Sequence, residues 1–294
     1  MLNLYLLSII ILILIIYLFR ESLLTEAQIC KLKYGLYVFT VMSASIIFFP
    51  ILLIHPRSAR NIRTAGIILN PILSLFGLKY RIENGQVFDR VDACVIVANH
   101  QSSIDFIGMM KLWPEHIRYC TILAKKELLY ALPFGLSAWL AGVEFVDRKN
   151  RERAKDKISN LTKKVQEKSL RLWVFPEGNL RKNKRRADDQ FIEICFFLHL
   201  IYLGTRHMSE SLLPFKYGAF RLAIEAQIPI VPVVFSNYQS IYNANEKNNS
   251  FYWRSGTITI KCLEPIDTKG LTIENDLQQL TDNVRQRMIE TFQE

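Results

Sequence analysis

The sequence has few cysteines, and their arrangement argues against two classes of site. Cys30, Cys94, Cys120, Cys195 and Cys262 are the only five in 294 residues. Their number is odd and their spacing shows no pairs, which argues against a disulfide framework and against a zinc site. We therefore expect no bound metal, and these cysteines fit a domain that faces a reducing compartment.

Two kinds of motif are also missing, one for binding nucleic acid and one for a serine nucleophile. The first matters because a net charge of +10 would suit nucleic acid as well as an anionic membrane surface and phosphate-bearing substrates. The sequence contains no nucleic-acid motif, and outside residues 179–204 its basic residues are scattered, so we expect no nucleic-acid partner. It also lacks the GxSxG nucleophile elbow, which disfavours a serine hydrolase that would use Ser102 or Ser103.

The N-terminus contains two long apolar segments. Residues 2–19 are 18 almost wholly apolar residues, and residues 34–54 are 21 residues without a charge. Both are near the length of about 20 residues that crosses a bilayer. No basic residue precedes the first segment and no small-residue cleavage site follows it, which predicts that it is retained rather than cleaved.

Basic residues follow the second segment and predict its orientation. Arg57, Arg60 and Arg63 come directly after it, and the positive-inside bias then places the rest of the chain in the cytosol. We expect residues 1–56 to form a membrane anchor, as two spans or as a shallow hairpin, and residues 57–294 to form the main domain.

Beyond residue 60 the pattern alternates between strands and helices. Apolar runs predict strands at residues 95–98, 144–146, 172–175, 230–235 and 257–262, and helical periodicity predicts amphipathic helices around residues 154–165 and 277–292. The runs at Val95 and Ile230 are apolar on both faces, as in a sheet covered by helices. The sequence therefore predicts an α/β domain with a mixed sheet covered by helices.

A histidine and an aspartate follow the first predicted strand at a spacing of five. On a helix, His100 and Asp105 would be about 140° apart and would not share a face. His100 is therefore expected in the strand-to-helix turn, with Ser102 or Ser103 as the helix N-cap and Asp105 in the first turn. Asp105 could then accept the Nδ1 proton and leave Nε2 as a general base. Alone, the pair equally fits an ordinary turn and cap.

Further motifs follow in order along the chain. They are Asn99-His100 to Asp105, residues 142–148 ending in Arg148, Phe175-Pro176-Glu177-Gly178, Thr205-Arg206 and residues 228–234. The series resembles the glycerolipid acyltransferase family, whose blocks are NHxxxxD, a segment ending in Arg, FPEGTR and a proline-flanked apolar strand. The resemblance covers residues 60–292 and is greatest to the eukaryotic 1-acylglycerol-3-phosphate acyltransferases.

The resemblance implies a reaction and its partners. A member of this family would transfer a fatty acyl group from acyl-CoA to the sn-2 hydroxyl of lysophosphatidate, giving phosphatidate at the endoplasmic reticulum membrane. Its partners would be acyl-CoA, lysophosphatidate and membrane lipid, with acyl-CoA as co-substrate and no further cofactor. Another lysophospholipid or glycerol 3-phosphate remains an alternative acceptor.

The resemblance also implies roles for individual residues. His100 would be the base, oriented by Asp105, and Glu177 would orient the acceptor or the arginines. The substrate-binding residues would be Lys125, Lys126, Arg148, Glu177, Gly178, Thr205 and Arg206. Arginine suits a phosphate because its planar fork binds two oxygens at once. The two lysines equally fit a solvated face.

One departure from the family pattern stands out. Glu177-Gly178 and Thr205-Arg206 are separated by residues 179–204, which begin with a basic run and end with an apolar one. Because the flanking codons can contain splice sites, we interpret the segment as a retained intron rather than an evolved loop. A catalytically impaired, membrane-bound isoform is therefore an alternative to an active enzyme.

Overall fold

The computed structural model describes residues 24–147, 151–177, 212–245 and 250–294. Its helices are α1 (Glu26–Ile47), α2 (Phe49–Ile54), α3 (Ala59–Ser74), α4 (Asp105–His116), α5 (Phe134–Leu140), α6 (Arg151–Glu167), α7 (Gly218–Ala226) and α8 (Ile273–Gln293). Its strands are β1 (Leu78–Glu83), β2 (Cys94–Ala98), β3 (Cys120–Lys125), β4 (Glu144–Val146), β5 (Arg171–Val174), β6 (Ile230–Phe235), β7 (Tyr242–Asn245), β8 (Ser250–Trp253) and β9 (Gly256–Cys262). The described residues also form two 3₁₀ helices, Gly85–Arg90 and Lys126–Tyr130.

Seven of the described strands form one mixed sheet in the order β1-β9-β6-β2-β5-β3-β4. Strand β2 pairs in parallel with both β5 and β6, and β3 pairs in parallel with β5 and β4. Strand β9 is antiparallel to β6 and carries β1 in parallel on its outer edge. A separate antiparallel pair joins β7 to β8. The prediction of an α/β domain with a mixed sheet is confirmed.

Helices cover both faces of this sheet. In β2, Ile96 faces a core shared with α1, α3 and α4, whereas Val95 and Val97 face a second core shared with α6, α7 and α8. Neighbouring residues of a strand point to opposite faces, so a strand buried on both sides must be apolar throughout. This explains the uninterrupted apolar run that predicted a covered sheet.

Each predicted strand begins and ends within one residue of a described strand. The five predicted strands are β2, β4, β5, β6 and β9, and the two predicted helices are α6 and α8. Strands β1 and β3 and the β7–β8 pair were not predicted. Strand β1 lies at a sheet edge and is buried fully only at Leu78, so its sequence lacks a continuous apolar run.

The second apolar segment differs from its prediction. Residues 34–54 do not form one continuous helix, because α1 ends at Ile47 and α2 begins at Phe49 with Pro50 in its first turn. One face of α1 is buried in the domain, including Tyr34, Tyr37 and Val38. No helix in the described part of the chain is long and apolar enough to cross a membrane. The first segment, residues 2–19, lies outside the described residues.

Helix α1 is attached to the domain along its length. Near its start, Lys33 Nζ donates to the carbonyl oxygen of Trp253 at 3.2 Å. Near its end, the carbonyl oxygen of Ser45 accepts a hydrogen bond from Ser137 Oγ of α5 at 2.7 Å. Helix α1 therefore shares a core with the domain that the sequence places after residue 57.

Candidate active site

The candidate site lies at the carboxyl edge of the sheet, where β2, β5 and β6 end side by side. Asn99 follows β2, and its side chain bonds both backbone groups of Phe235. Nδ2 donates to the Phe235 carbonyl at 3.0 Å, and Oδ1 accepts from the Phe235 N–H at 2.8 Å. The Gln101 amide also donates to the carbonyl oxygens of Phe235 and Ser236. These contacts fix the chain that leaves β2 against the end of β6.

The histidine and the aspartate lie within hydrogen-bond distance. His100 Nδ1 is 2.7 Å from Asp105 Oδ2. The same oxygen accepts from the backbone N–H groups of Gln101 at 2.8 Å and of Ser102 at 3.1 Å. The Asp105 side chain is fully buried, whereas 15% of the His100 side chain remains exposed. An ionised carboxylate only accepts hydrogen bonds, so the Nδ1 proton lies between the two groups.

The start of α4 differs from its prediction. Its N-cap is Ile104, which has no side-chain capping bond, so neither Ser102 nor Ser103 is the N-cap. Both hydroxyls bind tyrosines instead, because Ser102 Oγ is 2.9 Å from Tyr238 Oη and Ser103 Oγ is 2.9 Å from Tyr34 Oη. The Asp105 carboxylate itself binds the loop amides at the helix start, where the helix dipole favours negative charge.

Two further residues fix the position of His100. The Phe175 ring stacks on the imidazole with centroids 4.1 Å apart and planes at 19°. Glu177 Oε1 accepts from the His100 backbone N–H at 2.9 Å, and Oε2 accepts from the Leu213 N–H at 3.2 Å. Burial raises the pKa of the Glu177 carboxyl, and the two N–H donors oppose that shift. In the described contacts, Glu177 therefore orients the backbone of the histidine.

The two predicted lysines lie on the same edge of the sheet. Lys125 is the last residue of β3, and Lys126 begins the following 3₁₀ helix. Lys126 Nζ lies 3.4 Å from Asp147 Oδ2, at the end of the neighbouring strand β4. Strand β5 separates β3 from β2, so the lysines lie two strands from His100. The remaining predicted residues, Arg148, Gly178, Thr205 and Arg206, lie outside the described residues.

Sequence reasoning missed the group on the other oxygen of the aspartate. Tyr238 Oη lies 2.6 Å from Asp105 Oδ1. The tyrosine follows β6, far from Asp105 in the sequence, and no spacing rule connects the two. Only the parallel pairing of β2 with β6 brings them together.

The arrangement suits proton transfer. A carboxylate that holds Nδ1–H fixes the tautomer in which Nε2, on the other side of the ring, can accept a proton from a hydroxyl. Among the residues that the structure describes, no group of three or more His, Cys, Asp or Glu side chains could hold a metal ion. The described geometry is a histidine with a buried aspartate behind it, an arrangement that would suit a general base.

The family model described as Acyltransferase matches residues 79–236, which span β1 to the end of β6 and include the site. The chain belongs to the acyltransferase family. The 1-acyl-sn-glycerol-3-phosphate acyltransferase alpha of Mus musculus is 33% identical over 262 residues, which cover 89% of this chain and 80% of the mouse protein. This confirms the resemblance seen in the sequence.

Other relatives of this acyltransferase are similar over most of their length. The beta form from Homo sapiens is 34% identical over 80% of this chain and 73% of its own length. The Haemophilus influenzae 1-acyl-sn-glycerol-3-phosphate acyltransferase is 30% identical over 74% of this chain and 77% of its own.

A solved structure shares the fold. The crystal structure of the 1-acyl-sn-glycerophosphate acyltransferase PlsC from Thermotoga maritima superposes with a TM-score of 0.54. It covers 90% of this chain and 97% of its own, at 20% sequence identity. At that identity, the comparison shows the fold alone.

Proposed function

We propose that this acyltransferase transfers a fatty acyl group from acyl-CoA to the sn-2 hydroxyl of 1-acylglycerol 3-phosphate, giving phosphatidate. The observation that carries the proposal is the 2.7 Å contact between His100 Nδ1 and the buried Asp105 carboxylate. The names of relatives that match most of the chain support the choice of acceptor.

The reaction needs a base for the acceptor hydroxyl. His100 Nε2 takes the hydroxyl proton while the oxygen attacks the thioester carbonyl carbon, which becomes a tetrahedral oxyanion. The C–S bond then breaks as the carbonyl re-forms, and the imidazolium returns the proton to the thiolate of coenzyme A. Asp105 stabilises the imidazolium between these steps. No acyl-enzyme forms, so neither Ser102 nor Ser103 is required as a nucleophile.

The substrate phosphate needs cations on the same edge of the sheet as the base. We assign this role to Lys125 and Lys126 at the end of β3, with Arg148 and Arg206 as further phosphate ligands. The exposed fraction of the Lys126 side chain is 42%, so its ammonium group can exchange Asp147 for a phosphate with little loss of solvation.

The acceptor and product are lipids, and the surface of the N-terminal helices suits contact with a membrane. The exposed apolar side chains of α1 and α2 are Leu32, Leu36, Phe39, Ile46, Ile47, Ile51, Leu53 and Ile54. An exposed apolar patch of this kind marks an interaction surface. The opposite face of α1 contacts the loop after His100 through Tyr34 and Tyr37, so one helix separates this surface from that loop. We propose attachment to the endoplasmic reticulum membrane with the domain in the cytosol.

The proposal is tested by fractionating cells that express the protein and assaying both fractions with a panel of lysolipids. We expect activity in the membrane fraction, with acyl-CoA as donor and lysophosphatidate preferred over lysophosphatidylcholine, other lysophospholipids and glycerol 3-phosphate. Preference for another lysolipid would contradict the proposal that lysophosphatidate is the acceptor. Activity confined to the supernatant would contradict the membrane assignment.

The interruption of the FPEGTR block between Gly178 and Thr205 is the basis of the alternative function, an impaired isoform. Residues 179–204 lie outside the described residues, but the chain on either side is held together. Glu177 binds the Leu213 N–H, and the Lys216 N–H donates to the Pro176 carbonyl at 3.0 Å. Since these ends are adjacent, shortening the loop between them changes the entropic free-energy cost of loop closure by only about 1 to 2 kcal/mol.

We therefore expect that deleting residues 179–204, which restores Glu-Gly-Thr-Arg, raises acyltransferase activity at least about tenfold. A displacement of about 1 Å in a site can lower a rate about 100-fold, and the deletion restores the uninterrupted sequence Glu177-Gly178-Thr205-Arg206. The control replaces residues 179–204 with a Gly/Ser linker of equal length. Activity that is equal or lower after deletion would make the segment a functional part of the enzyme.

A further inference from the structure

The loop that carries the His100–Asp105 pair, here called the dyad, is surrounded by tyrosine hydroxyls from outside the loop. Tyr34 Oη contacts Ser103 Oγ at 2.9 Å, Tyr37 Oη donates to the Ser103 carbonyl at 3.0 Å, and Tyr80 Oη donates to the Ile104 carbonyl at 3.1 Å. They come from α1 and β1. These three contacts hold the backbone and a serine, whereas a fourth tyrosine reaches the dyad itself.

Tyr238 donates its hydroxyl proton to the aspartate. Its Oη lies 2.6 Å from Asp105 Oδ1 and 2.9 Å from Ser102 Oγ. Because an ionised carboxylate can only accept, the Tyr238 proton points to Asp105, and the Ser102 hydroxyl donates to Tyr238. Ser102 Oγ in turn accepts from the Ile104 N–H at 3.2 Å. The chain of donors thus runs from the loop backbone through Ser102 and Tyr238 to Asp105.

The two carboxylate oxygens have different partners. Oδ2 faces His100 Nδ1 and two backbone N–H groups, and Oδ1 faces Tyr238. Tyr238 is 1% exposed and Asp105 is not exposed at all. Burial, together with the Asp105 charge, raises the pKa of Tyr238 well above its ordinary value. The phenol therefore stays protonated and donates throughout the working pH range.

We propose that Tyr238 is a positioning residue for acyl transfer: its hydroxyl fixes the rotation of the Asp105 carboxylate so that Oδ2 points at His100 Nδ1. The proposal rests on the function proposed above. A buried carboxylate oxygen without a donor would turn toward the remaining donors of the loop, because an unmatched buried acceptor is unfavourable. The imidazole would then lose the alignment that sets its tautomer.

The test replaces Tyr238 by phenylalanine, which keeps the ring and removes the hydroxyl. We expect kcat to fall about 10- to 100-fold, the effect of losing one hydrogen bond to a charged group, with KM for both substrates unchanged. Tyr242→Phe is the matched control, because Tyr242 is also buried, with its ring against Trp253. It should keep the wild-type kcat.

A spectroscopic measurement separates positioning from a merely structural role. In protein with ¹⁵N-labelled histidine, the Nδ1 proton shared by His100 and Asp105 should give a low-field signal that is absent in His100→Ala. Tyr238→Phe should shift or broaden this signal, and Tyr242→Phe should leave it unchanged. An unchanged signal together with an unchanged kcat in Tyr238→Phe would overturn the proposal.

Ser102→Ala is the second variant in case Tyr238→Phe does not fold. It removes the donor to Tyr238, and we expect a smaller decrease in kcat with a shift of the signal in the same direction; no shift in a folded Ser102→Ala protein would contradict the proposal. The signal also separates the two hypotheses. If the wild-type protein shows no acyl transfer but Tyr238→Phe moves the signal, the proposed function fails, whereas the orientation of the Asp105 carboxylate by Tyr238 is still supported.

Discussion

His100→Ala should lower kcat about 10²- to 10⁴-fold, the contribution typical of a positioned general base. The substitution removes the nitrogen that accepts the hydroxyl proton. It should leave the fold intact, because the Asp105 carboxylate retains the N–H groups of Gln101 and Ser102 and the Tyr238 hydroxyl. The measurement is the steady-state rate with lysophosphatidate and acyl-CoA, with circular dichroism to check folding.

His55→Ala is the matched control for this variant. His55 is exposed and lies between α2 and α3. Two residues later, Arg57 binds Glu144 at the start of β4, so this connection lies near the amino edge of the parallel strands, opposite the site. Replacement of His55 should leave both activity and membrane association unchanged. A His100→Ala enzyme with activity within about tenfold of the wild type would contradict the assignment of the base, since a general base contributes more than that.

Membrane association should also survive His100→Ala, although the N-terminal helix and the site are in contact. Tyr34 and Tyr37 of α1 bind the side chain and backbone of Ser103. Neither bond involves the imidazole, so truncating His100 leaves the helix in place. A change in α1 itself would act differently, because its tyrosines hold the loop that carries the dyad.

Much of the fold could be predicted because it depends on local pattern. Strands β2 and β6 are buried on both faces, so each reads as a continuous apolar run. The turn that holds His100 follows from a spacing that a helix cannot place on one face. These features depend on residues that are neighbours in the sequence.

The contacts that complete the site depend on pairing between distant segments. Tyr238 reaches Asp105 because β6 lies beside β2, and nothing in the sequence near either residue indicates that pairing. The apolar pattern of residues 34–54 likewise could not show what covers them, since hydropathy does not distinguish a bilayer from a protein core. Tyr34 and Tyr37 are about one helical turn apart and therefore share a face of α1. Two tyrosine hydroxyls on one face could have indicated that this face packs against polar groups of the protein.

Asp105→Asn should lower kcat about 10²- to 10³-fold, equivalent to about 3 to 4 kcal/mol of transition-state stabilisation, because the imidazolium loses its buried charge partner. The imidazolium that forms during proton transfer would then have a neutral neighbour. The fold should be retained, because asparagine has the same shape. Asp92→Asn is the matched control, since it makes the same change in charge at an exposed position and should leave kcat unchanged.

The structure also predicts how the new amide is oriented. The backbone N–H groups of Gln101 and Ser102 both point at the Oδ2 position, so the amide oxygen should stay there and the NH₂ group should face Tyr238. The imidazole then keeps its tautomer and only the charge is lost. The opposite orientation would impose the wrong tautomer, which costs about 10⁴ in kcat in a serine protease triad.

Asp105→Ala separates the charge of the aspartate from its structural role. It removes the acceptor for two buried backbone N–H groups, and each such loss costs about 1 to 3 kcal/mol of folding free energy. The melting temperature of Asp105→Ala should therefore be well below that of Asp105→Asn, although both variants lose activity. If Asp105→Asn kept kcat within about tenfold of the wild type, the aspartate would serve the loop rather than the proton transfer, because stabilisation of the imidazolium should be worth at least about 100-fold in rate.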